Sequence, residues 1–439
     1  MLALRSAPAR AAQAAAPAVR ALSTSSIRCN DRHQTWDRPT VRAEAGDRRP
    51  QRPRAYNQQG AGASAQNARL SPSEVRDQRR ERQAEFLATR QQRGPPHLLT
   101  LADYSAEEIA DLVKSALAFK VVAKKWGNTE VPNSLQDRTV ALMFSKRSTR
   151  TRVASETSVA MLGGHAMFLG SQDIQLGVNE SLRDTATVVG SMVDGIMARV
   201  KGHDEVETLA KYSSVPIVNA LSDLYHPTQI LADLLTLVEM YHPDLSYLTE
   251  DIAGARNAYA VVRKRAQEID IPALLNGKKF SYVGDTNNMS NEFIVSLPRL
   301  GMEVAIASPE GYNKIDPVVW KRVQDAGTEG KIQLTTKPED ALKDADLVVT
   351  DTWISMGQEE ETAKRLEAFK GYQLTNALIE RSGAKPDWKF MHCLPRHKDE
   401  VDDEVFYGPR SVVFPEAENR KWTILAVFNA LMGRWQRAV

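Results

Sequence analysis

Residues 139–152, with the sequence TVALMFSKRSTRTR, join a short apolar run to a polar segment rich in arginine and hydroxyl groups. The apolar run predicts a buried strand over residues 139–144. The segment that follows predicts a helix over residues 149–162, with serine and threonine at its start. A strand that leads directly into a helix in this way is typical of an α/β fold with a parallel sheet.

The same alternation of strands and helices recurs along the chain from residue 97 onward and forms two series. The strands predicted for the first series are TVALMF (139–144), HAMFLG (165–170), GIMARV (195–200) and VPIVNA (215–220). Those predicted for the second are FSYVG (280–284), EVAIAS (303–308), KIQLTT (331–336), DLVVT (346–350) and KFMH (389–392), with a further short strand at 412–414. We therefore expect an α/β protein with two lobes of similar size, each a parallel sheet covered by helices.

Further helices are predicted after the capping box Ser105-x-x-Glu108, over residues 181–193 and 228–240, and near the C-terminus over 416–437. A polar connection over residues 242–276 separates the two series. The expected domains are residues 96–240 together with the C-terminal helix (421–439), and residues 241–420.

The formal net charge of +2 conceals two oppositely charged parts of the chain. Residues 1–95 contain 18 arginines, no lysine and 8 acidic residues, so the rest of the chain is acidic. Residues 1–30 are rich in arginine, serine and alanine and contain no acidic residue, which predicts a mitochondrial transit peptide. Residues 31–95 hold few large apolar residues, and we expect a disordered or weakly helical basic extension there.

The composition and motifs exclude several classes of protein. Cys29 and Cys393 are the only cysteines, which rules out a disulfide framework, and no His/Cys cluster offers a zinc site. No run of 18 apolar residues predicts a membrane-spanning helix. Neither a GxxxxGK[ST] motif nor a convincing GxGxxG motif occurs, so a nucleotide P-loop and a dinucleotide-binding fold are not supported. We expect no metal and no organic cofactor.

Polar groups follow six of the predicted strands. Because parallel strands present their carboxyl ends at one edge of a sheet, we expect these groups to form a cleft between the lobes. They are residues 145–152 (SKRSTRTR), Arg199, residues 226–229 (HPTQ), residues 285–288 (DTNN), residues 351–357 (DTWISMG) and residues 393–396 (CLPR). The helix that begins near Ser148 suits an anion, because its first N–H groups are free and Arg150 can bind phosphate oxygens as a fork.

The motifs STRTR (148–152), HPTQ (226–229), DxxxSMG (351–357) and HCLP (392–395) resemble those of the aspartate/ornithine carbamoyltransferase family. The SMG and HCLP motifs, with ENRKWT (418–423), are similar to its ornithine-specific members in particular. The resemblance covers roughly residues 96–439. It implies that the carbamoyl group of carbamoyl phosphate is transferred to L-ornithine, giving L-citrulline and phosphate, as a step of arginine biosynthesis in the mitochondrial matrix. It also implies a homotrimer, and we expect neither nucleic acid nor membrane as a partner.

The resemblance implies a role for each residue that matches a family motif. The catalytic residues would be Arg199, His226 and Cys393, the last as a binding group and not as a covalent nucleophile. The carbamoyl phosphate ligands would be Ser148, Thr149, Arg150, Thr151, Arg199, His226, Gln229, Cys393, Leu394 and Arg420, together with Gln175 near the site of a neighbouring subunit. The ornithine ligands would be Asn288, Asp351, Ser355 and Met356.

The chemistry of this reaction agrees with such a set of residues. The neutral δ-amine attacks the carbamoyl carbon and forms a tetrahedral intermediate, whose oxyanion needs fixed donors. Two alternatives remain open: a carbamoyltransferase for another amine, such as aspartate, acetylornithine or putrescine, and a non-catalytic homologue. Asp351 favours an ammonium group over a second carboxylate, SMG favours a free α-amino acid end, and a non-catalytic homologue should have lost part of the phosphate-binding set.

Overall fold

The computed structural model describes residues 97–171, 180–252, 258–354 and 361–433. In these ranges the chain forms two parallel sheets, as the sequence predicts. The first sheet has the order β2-β1-β3-β4 and consists of β1 (Thr139–Phe144), β2 (His165–Gly170), β3 (Gly195–Arg199) and β4 (Ile217–Leu221). The second has the order β7-β6-β5-β8-β9 and consists of β5 (Lys279–Val283), β6 (Glu303–Ala307), β7 (Ile332–Thr335), β8 (Leu347–Thr350) and β9 (Lys389–His392).

The strand orders decide where a ligand can bind. In the first sheet the chain turns back between β1 and β3, and in the second it turns back between β5 and β8. At such a switch point the connections leave in opposite directions, so a crevice forms beyond the carboxyl ends of the two strands. All residues of β3 and β8 are buried, which agrees with strands covered by helices on both faces.

The helix before the first sheet begins as the sequence predicts. The N–H of Glu108 donates to the Ser105 hydroxyl at 3.2 Å, and the N–H of Ser105 donates to the Glu108 carboxylate at 2.8 Å. The helices of the first lobe are α1 (Ala106–Trp126), α2 (Thr149–Met161), α3 (Leu182–Met192), α4 (His203–Tyr212) and α5 (Pro227–Tyr241). The later helices are α6 (Ala258–Ala266), α7 (Ile271–Leu275), α8 (Asn288–Ser296), α9 (Pro317–Asp325), α10 (Pro338–Leu342), α11 (Thr362–Ala368), α12 (Asn376–Arg381), α13 (Asp403–Phe406) and α14 (Val413–Met432).

Two predictions of secondary structure are wrong. Residues 412–414 do not form a strand, because α14 already begins at Val413 and only Ser411 bridges to Phe390 of β9. The polar connection over residues 242–276 contains the helices α6 and α7. In α6 the buried residues are four positions apart, at Ala258, Val262 and Ala266, which is a helical spacing.

The C-terminal helix α14 links the two lobes. The helix begins just after Ser411, which forms a β-bridge with Phe390 of β9. The helix then packs against α1, α2 and α5 of the first lobe. Its apolar side chains are buried there, including Trp422 and Phe428. Polar residues of its first two turns therefore lie where the lobes meet. The exact domain boundaries stay a prediction.

A second link between the lobes is made by α8. The Glu292 carboxylate of this helix is fully buried and accepts from the Thr100 hydroxyl at 2.9 Å and from the Leu101 N–H at 2.6 Å. Burial raises the pKa of Glu292 to about 8. Asn291 of the same helix donates to the carbonyl oxygen of Leu224, in the loop before α5.

Within the described ranges, no helix combines the length and the apolar character that crossing a membrane requires. The predicted transit peptide and basic extension lie outside the described residues.

Candidate active site

A cavity of about 830 Å³ opens at the carboxyl ends of strands from both sheets. Its walls come from the segments after β1, β3 and β4 in the first lobe and after β5, β8 and β9 in the second. Most of the predicted site residues line it, namely Ser148, Thr149, Arg150, Thr151, Arg199, His226, Asn288, Asp351, Cys393, Leu394 and Arg420. Three others, Gln175, Ser355 and Met356, lie outside the described residues.

The N-terminus of α2 forms one wall of the cavity. Ser148 is its N-cap residue, and the Ser148 hydroxyl makes no capping hydrogen bond. The first N–H groups of a helix have no partner within the helix, and the helix dipole favours an anion beside them. Arg150 projects from this turn, and its Nη2 donates to the carbonyl oxygen of Leu394 at 2.5 Å. The first turn of α2 is thereby tied to the segment after β9.

Arg199 is the last residue of β3, and its side chain is buried in the wall of the cavity. The N–H and the hydroxyl of Ser145 donate to its carbonyl oxygen at 2.9 and 3.0 Å, which fixes the backbone at this point. Burial, and then the positive charge of Arg150, lowers the pKa of Arg199 to about 10. The guanidinium group is still protonated at neutral pH. Its charge is therefore held in a place where an anion would stabilise it.

Arg420 reaches the cavity from α14. Its Nη1 donates to Oε1 of Gln229 at 2.6 Å, and its Nη2 donates to the Thr151 hydroxyl at 3.1 Å. Burial, and then the charge of Arg150, lowers the pKa of Arg420 to about 10. Gln229 is only 1% exposed and does not line the cavity, so it lies behind Arg420. Its predicted contact with the carbamoyl group stays a prediction.

His226 is the N-cap residue of α5, and Pro227 is the first residue of that helix. The imidazole is buried. Burial, followed by the charges of Arg420, Arg199 and Arg150, lowers the pKa of His226 well below its ordinary value. The ring is therefore neutral at physiological pH, so one of its nitrogens can donate a hydrogen bond without adding charge.

Asp351 and Cys393 form a pair on the second-lobe side of the cavity. The Cys393 thiol donates to Oδ1 of Asp351 at 2.8 Å. Burial, and then the charge of Asp351, raises the pKa of Cys393 well above its ordinary value. Burial also raises the pKa of Asp351. A thiol that stays protonated is a weak nucleophile, which agrees with a binding role for Cys393.

His392 and Glu400 support this pair, and the sequence assigned neither of them a role. Nδ1 of His392 accepts the N–H of Leu394 at 2.9 Å, and its Nε2 lies 3.4 Å from the buried carboxylate of Glu400. Burial lowers the pKa of His392 to about 4 and raises that of Glu400 to about 7. The sequence feature that could have indicated a role for His392 is its position at the end of a buried strand, directly before Cys393.

Asp351, His392 and Cys393 are also the one group of potential metal ligands found among the described residues. Their ligand atoms all lie within 4.8 Å of one another. The thiol proton lies between sulfur and carboxylate, however, and Nδ1 of the imidazole already accepts an N–H. A metal ion would have to displace that proton, since the thiolate is the ligand form of cysteine.

Asn288 brings the second lobe into contact with the first. Its Nδ2 donates to the carbonyl oxygen of Ser222, after β4, at 2.7 Å. Asp285, three residues before it, forms a 2.6 Å ion pair with Arg365 of α11. Asp285 therefore anchors the loop after β5, while Asn288 faces the cavity.

Comparison with known proteins finds family models that match each of the two lobes. The family model for the carbamoyl-P binding domain of aspartate/ornithine carbamoyltransferase matches residues 96–239, and the model for the Asp/Orn binding domain matches residues 276–431. The mitochondrial ornithine carbamoyltransferase of Coccidioides immitis is 47% identical over 77% of this chain and 93% of its own length. The mitochondrial ornithine transcarbamylase of Gallus gallus is 44% identical over 77% of this chain and 89% of its own.

Two solved structures show a similar fold. The crystal structure of a mitochondrial ornithine carbamoyltransferase from Coccidioides immitis aligns with a TM-score of 0.65 at 44% identity, over 76% of this chain and 97% of that one. Ornithine carbamoyltransferase from Pyrococcus furiosus aligns with a TM-score of 0.65 at 40% identity, over 76% and 96% of the two chains.

The pairing of Cys393 with Asp351 predicts the reactivity of the thiol. Because the carboxylate raises the pKa of Cys393, Asp351→Asn should lower that pKa and increase the thiolate fraction, by about tenfold for each unit of pKa. We expect faster alkylation of Cys393 by iodoacetamide at pH 8, followed by peptide mass spectrometry. Asp399→Asn, at another carboxylate of the same cavity, is the matched control. An unchanged or slower rate in Asp351→Asn would contradict the assignment.

Proposed function

The chain belongs to the aspartate/ornithine carbamoyltransferase family, and we propose how its cavity joins carbamoyl phosphate to L-ornithine. It is a transferase with ornithine carbamoyltransferase activity, as its relatives at 44–48% identity are named. The observation that carries the proposed mechanism is a single cavity with buried arginines on one side and the Asp351–Cys393 pair on the other. One side suits a phosphorylated substrate, and the other suits an amine.

The phosphate of the substrate would bind at the N-terminus of α2. The free N–H groups of the first turn and the hydroxyls of Ser148, Thr149 and Thr151 would donate to its oxygens. Arg150 would form a bidentate hydrogen bond with two of these oxygens. Gln175 of a neighbouring subunit would also approach the phosphate. These donors also stabilise phosphate as the leaving group, since its charge grows as the bond to the carbamoyl carbon breaks.

The carbamoyl oxygen would point towards Arg199, His226 and Thr151. When the amine attacks, this oxygen gains negative charge in the tetrahedral intermediate. Donors that are already fixed and buried stabilise such a charge strongly, because little reorganisation is needed at the moment of reaction. The backbone of Cys393 and Leu394, with Arg420 held from behind by Gln229, would hold the rest of the carbamoyl group.

The amine would attack from the second-lobe side. A free alkyl ammonium group has a pKa of about 10, so it must lose one proton to solvent before it attacks. The attacking nitrogen would lose a second proton to the departing phosphate as the bond between the carbamoyl carbon and the phosphate oxygen breaks. Positive charge on Arg150, Arg199 and Arg420, together with desolvation, would favour the neutral amine. Cys393 would lie beside it, while Asn288 and Asp351, with Ser355 and Met356, would bind the amino acid end.

We propose that the protein is located in the mitochondrial matrix, directed there by residues 1–30. Relatives at 47–48% and 44% identity are named mitochondrial, and the composition of the leader is typical of import. The mechanism as proposed uses no metal and no organic cofactor.

We propose a homotrimer built through the first lobe. Large apolar side chains are exposed on α2, the edge strand β2 and α3, where an unpartnered monomer would leave them in water: Val153 55%, Met167 42%, Val188 46% and Met192 75% exposed. Exposed apolar groups of this kind mark protein–protein surfaces. In this arrangement Gln175, between β2 and α3, would reach the cavity of a neighbour.

Substrate choice tests the proposed function directly. Purified protein with carbamoyl phosphate should form a carbamoylated product from L-ornithine with a higher kcat/KM than from putrescine, N-acetylornithine or aspartate. The reason is the combination of Asp351, which favours an amine, with Asn288, which can bind a free carboxylate. Preferred use of aspartate or putrescine would favour the rival transferase, and no product from any amine would favour a non-catalytic homologue.

Two substitutions should distinguish the roles of the two sides of the cavity. Arg199→Ala should lower kcat by about 10²–10³-fold, because it removes a donor to the developing oxyanion. Asp351→Asn should raise KM for ornithine while KM for carbamoyl phosphate stays near that of the wild type. Steady-state kinetics with each substrate varied in turn measures both effects. Near-normal turnover of Arg199→Ala, or an equal loss for both substrates in Asp351→Asn, would contradict these roles.

The trimer predicts a dependence of activity on assembly. Light scattering of the mature protein should give three times the subunit mass, and Met192→Glu on α3 should weaken assembly and activity together, because it places a charge in the proposed interface. Val318→Glu, at a similarly exposed apolar side chain of α9 in the second lobe, is the control. A monomer with full activity would exclude the arrangement.

A further inference from the structure

Two carboxyl groups that the proposed mechanism does not use lie behind the cavity. Asp233 of α5 and Glu416 of α14 are each 2% exposed, and each accepts a hydrogen bond of 2.9 Å from Nε2 of Gln229. The other end of this amide, Oε1, accepts from Arg420 at 2.6 Å. The amide of Gln229 is therefore held at both ends, and a reversed orientation would direct its N–H groups at a guanidinium group that only donates.

Glu416 extends the same network to the second lobe. Its second oxygen, Oε2, accepts the backbone N–H of His392 at 3.0 Å. His392 directly precedes Cys393 in the wall of the cavity, so one carboxyl group connects α5, α14 and β9. Neither Asp233 nor Glu416 lines the cavity itself. Both can influence a ligand only indirectly, through Gln229 and Arg420 and, for Glu416, also through the backbone of His392.

The positions of the two carboxyl groups favour a shared proton. Asp233 and Glu416 are buried and accept from the same Nε2 atom, so they lie close to each other, and two neighbouring buried carboxylates without a proton would repel. Burial raises the pKa of Asp233 to about 7 and that of Glu416 well above its ordinary value. With one proton the pair carries a single negative charge, which balances the positive charge of Arg420 in the same buried cluster.

We propose that Asp233 and Glu416, sharing one proton, are positioning residues that hold Gln229 and Arg420 in the geometry that binds carbamoyl phosphate. The proposal rests on the proposed function, because the affinity that these residues affect is the affinity for carbamoyl phosphate. It differs from that function in assigning a role to groups that touch neither substrate.

The shared proton leads to an unusual pattern of substitutions. An amide resembles a protonated carboxyl group, with one acceptor and a donor in place of the hydroxyl. Asp233→Asn leaves the Glu416 carboxylate beside one neutral donor, so the cluster keeps its single negative charge. Glu416→Gln also keeps that charge, on Asp233, but both oxygens of Glu416 accept N–H groups, so the amide nitrogen loses one of those hydrogen bonds. The double variant has no carboxylate, and Arg420 is left as an uncompensated buried charge. If both groups were ionised, each single variant would instead change the net charge of the cluster by one.

The test is a double-substitution cycle measured by kinetics and by calorimetry. We expect Asp233→Asn to lower kcat/KM for carbamoyl phosphate by less than fivefold and Glu416→Gln to lower it by about tenfold, because Gln at this position has one acceptor fewer. The double variant should lower it by at least 100-fold. KM for ornithine should stay within twofold throughout. Losses above 50-fold in both single variants, or a double variant no worse than the product of the two, would overturn the proposal. The single variants alone decide the matter if the double variant does not fold.

A second cycle shows whether the pair acts through Arg420. In an Arg420→Met background the double variant should cost less than fivefold further, because the buried charge that the pair compensates is gone. A loss as large as in the wild-type background would mean a general structural role and would overturn the proposal. Titration calorimetry with carbamoyl phosphate and no amine measures the affinity of the wild type and of each variant without turnover. These affinities should rank in the same order as the kcat/KM values. If the wild type binds carbamoyl phosphate but forms no citrulline, the proposed function fails, while the order of affinities still tests this inference.

Discussion

The structure depends on the confinement of three guanidinium groups in one cleft. Arg150, Arg199 and Arg420 repel one another, and each lowers the proton affinity of the buried groups around it. The protein compensates only partly, with the carbonyl of Leu394, the amide of Gln229 and the negative charge of the Asp233–Glu416 pair. The remaining positive potential is what a phosphorylated substrate would neutralise. The neutral state of His226 follows from the same field.

The lobes are joined at the site by side chains of one lobe bonded to the backbone of the other. Arg150 donates to the Leu394 carbonyl, and Asn288 donates to the Ser222 carbonyl. Backbone partners are fixed by the strands that carry them, so each contact sets the position of a whole segment after a strand. The two substrates would thus be placed by groups whose own positions depend on the opposite lobe, which explains why a cavity between two separately folded sheets can have defined geometry.

The sequence could predict the parts that depend on local pattern. The nine strands and the polar groups after them follow from short apolar runs and from the topology of parallel sheets, and eleven predicted residues line the cavity. It could not predict what depends on tertiary packing. Val412, Val413 and Phe414 form a β-branched and aromatic run, yet packing of α14 against the first lobe makes most of it helical. Asp233 and Glu416 resemble solvated helix residues, because burial of a carboxyl group leaves no trace in a single sequence. The buried position of Glu292 could not be predicted for the same reason.

The bond from Asn288 to the Ser222 carbonyl has a consequence for inhibitors. A compound that drew the Asn288 amide away through a lone carboxylate would leave that carbonyl without a donor, at a cost of about 1–3 kcal/mol. A compound with an ammonium group next to its carboxylate can accept from the amide and donate to the carbonyl together. The backbone at residue 222 would therefore disfavour simple dicarboxylates, and an effective competitive ligand should keep the zwitterionic end of an α-amino acid.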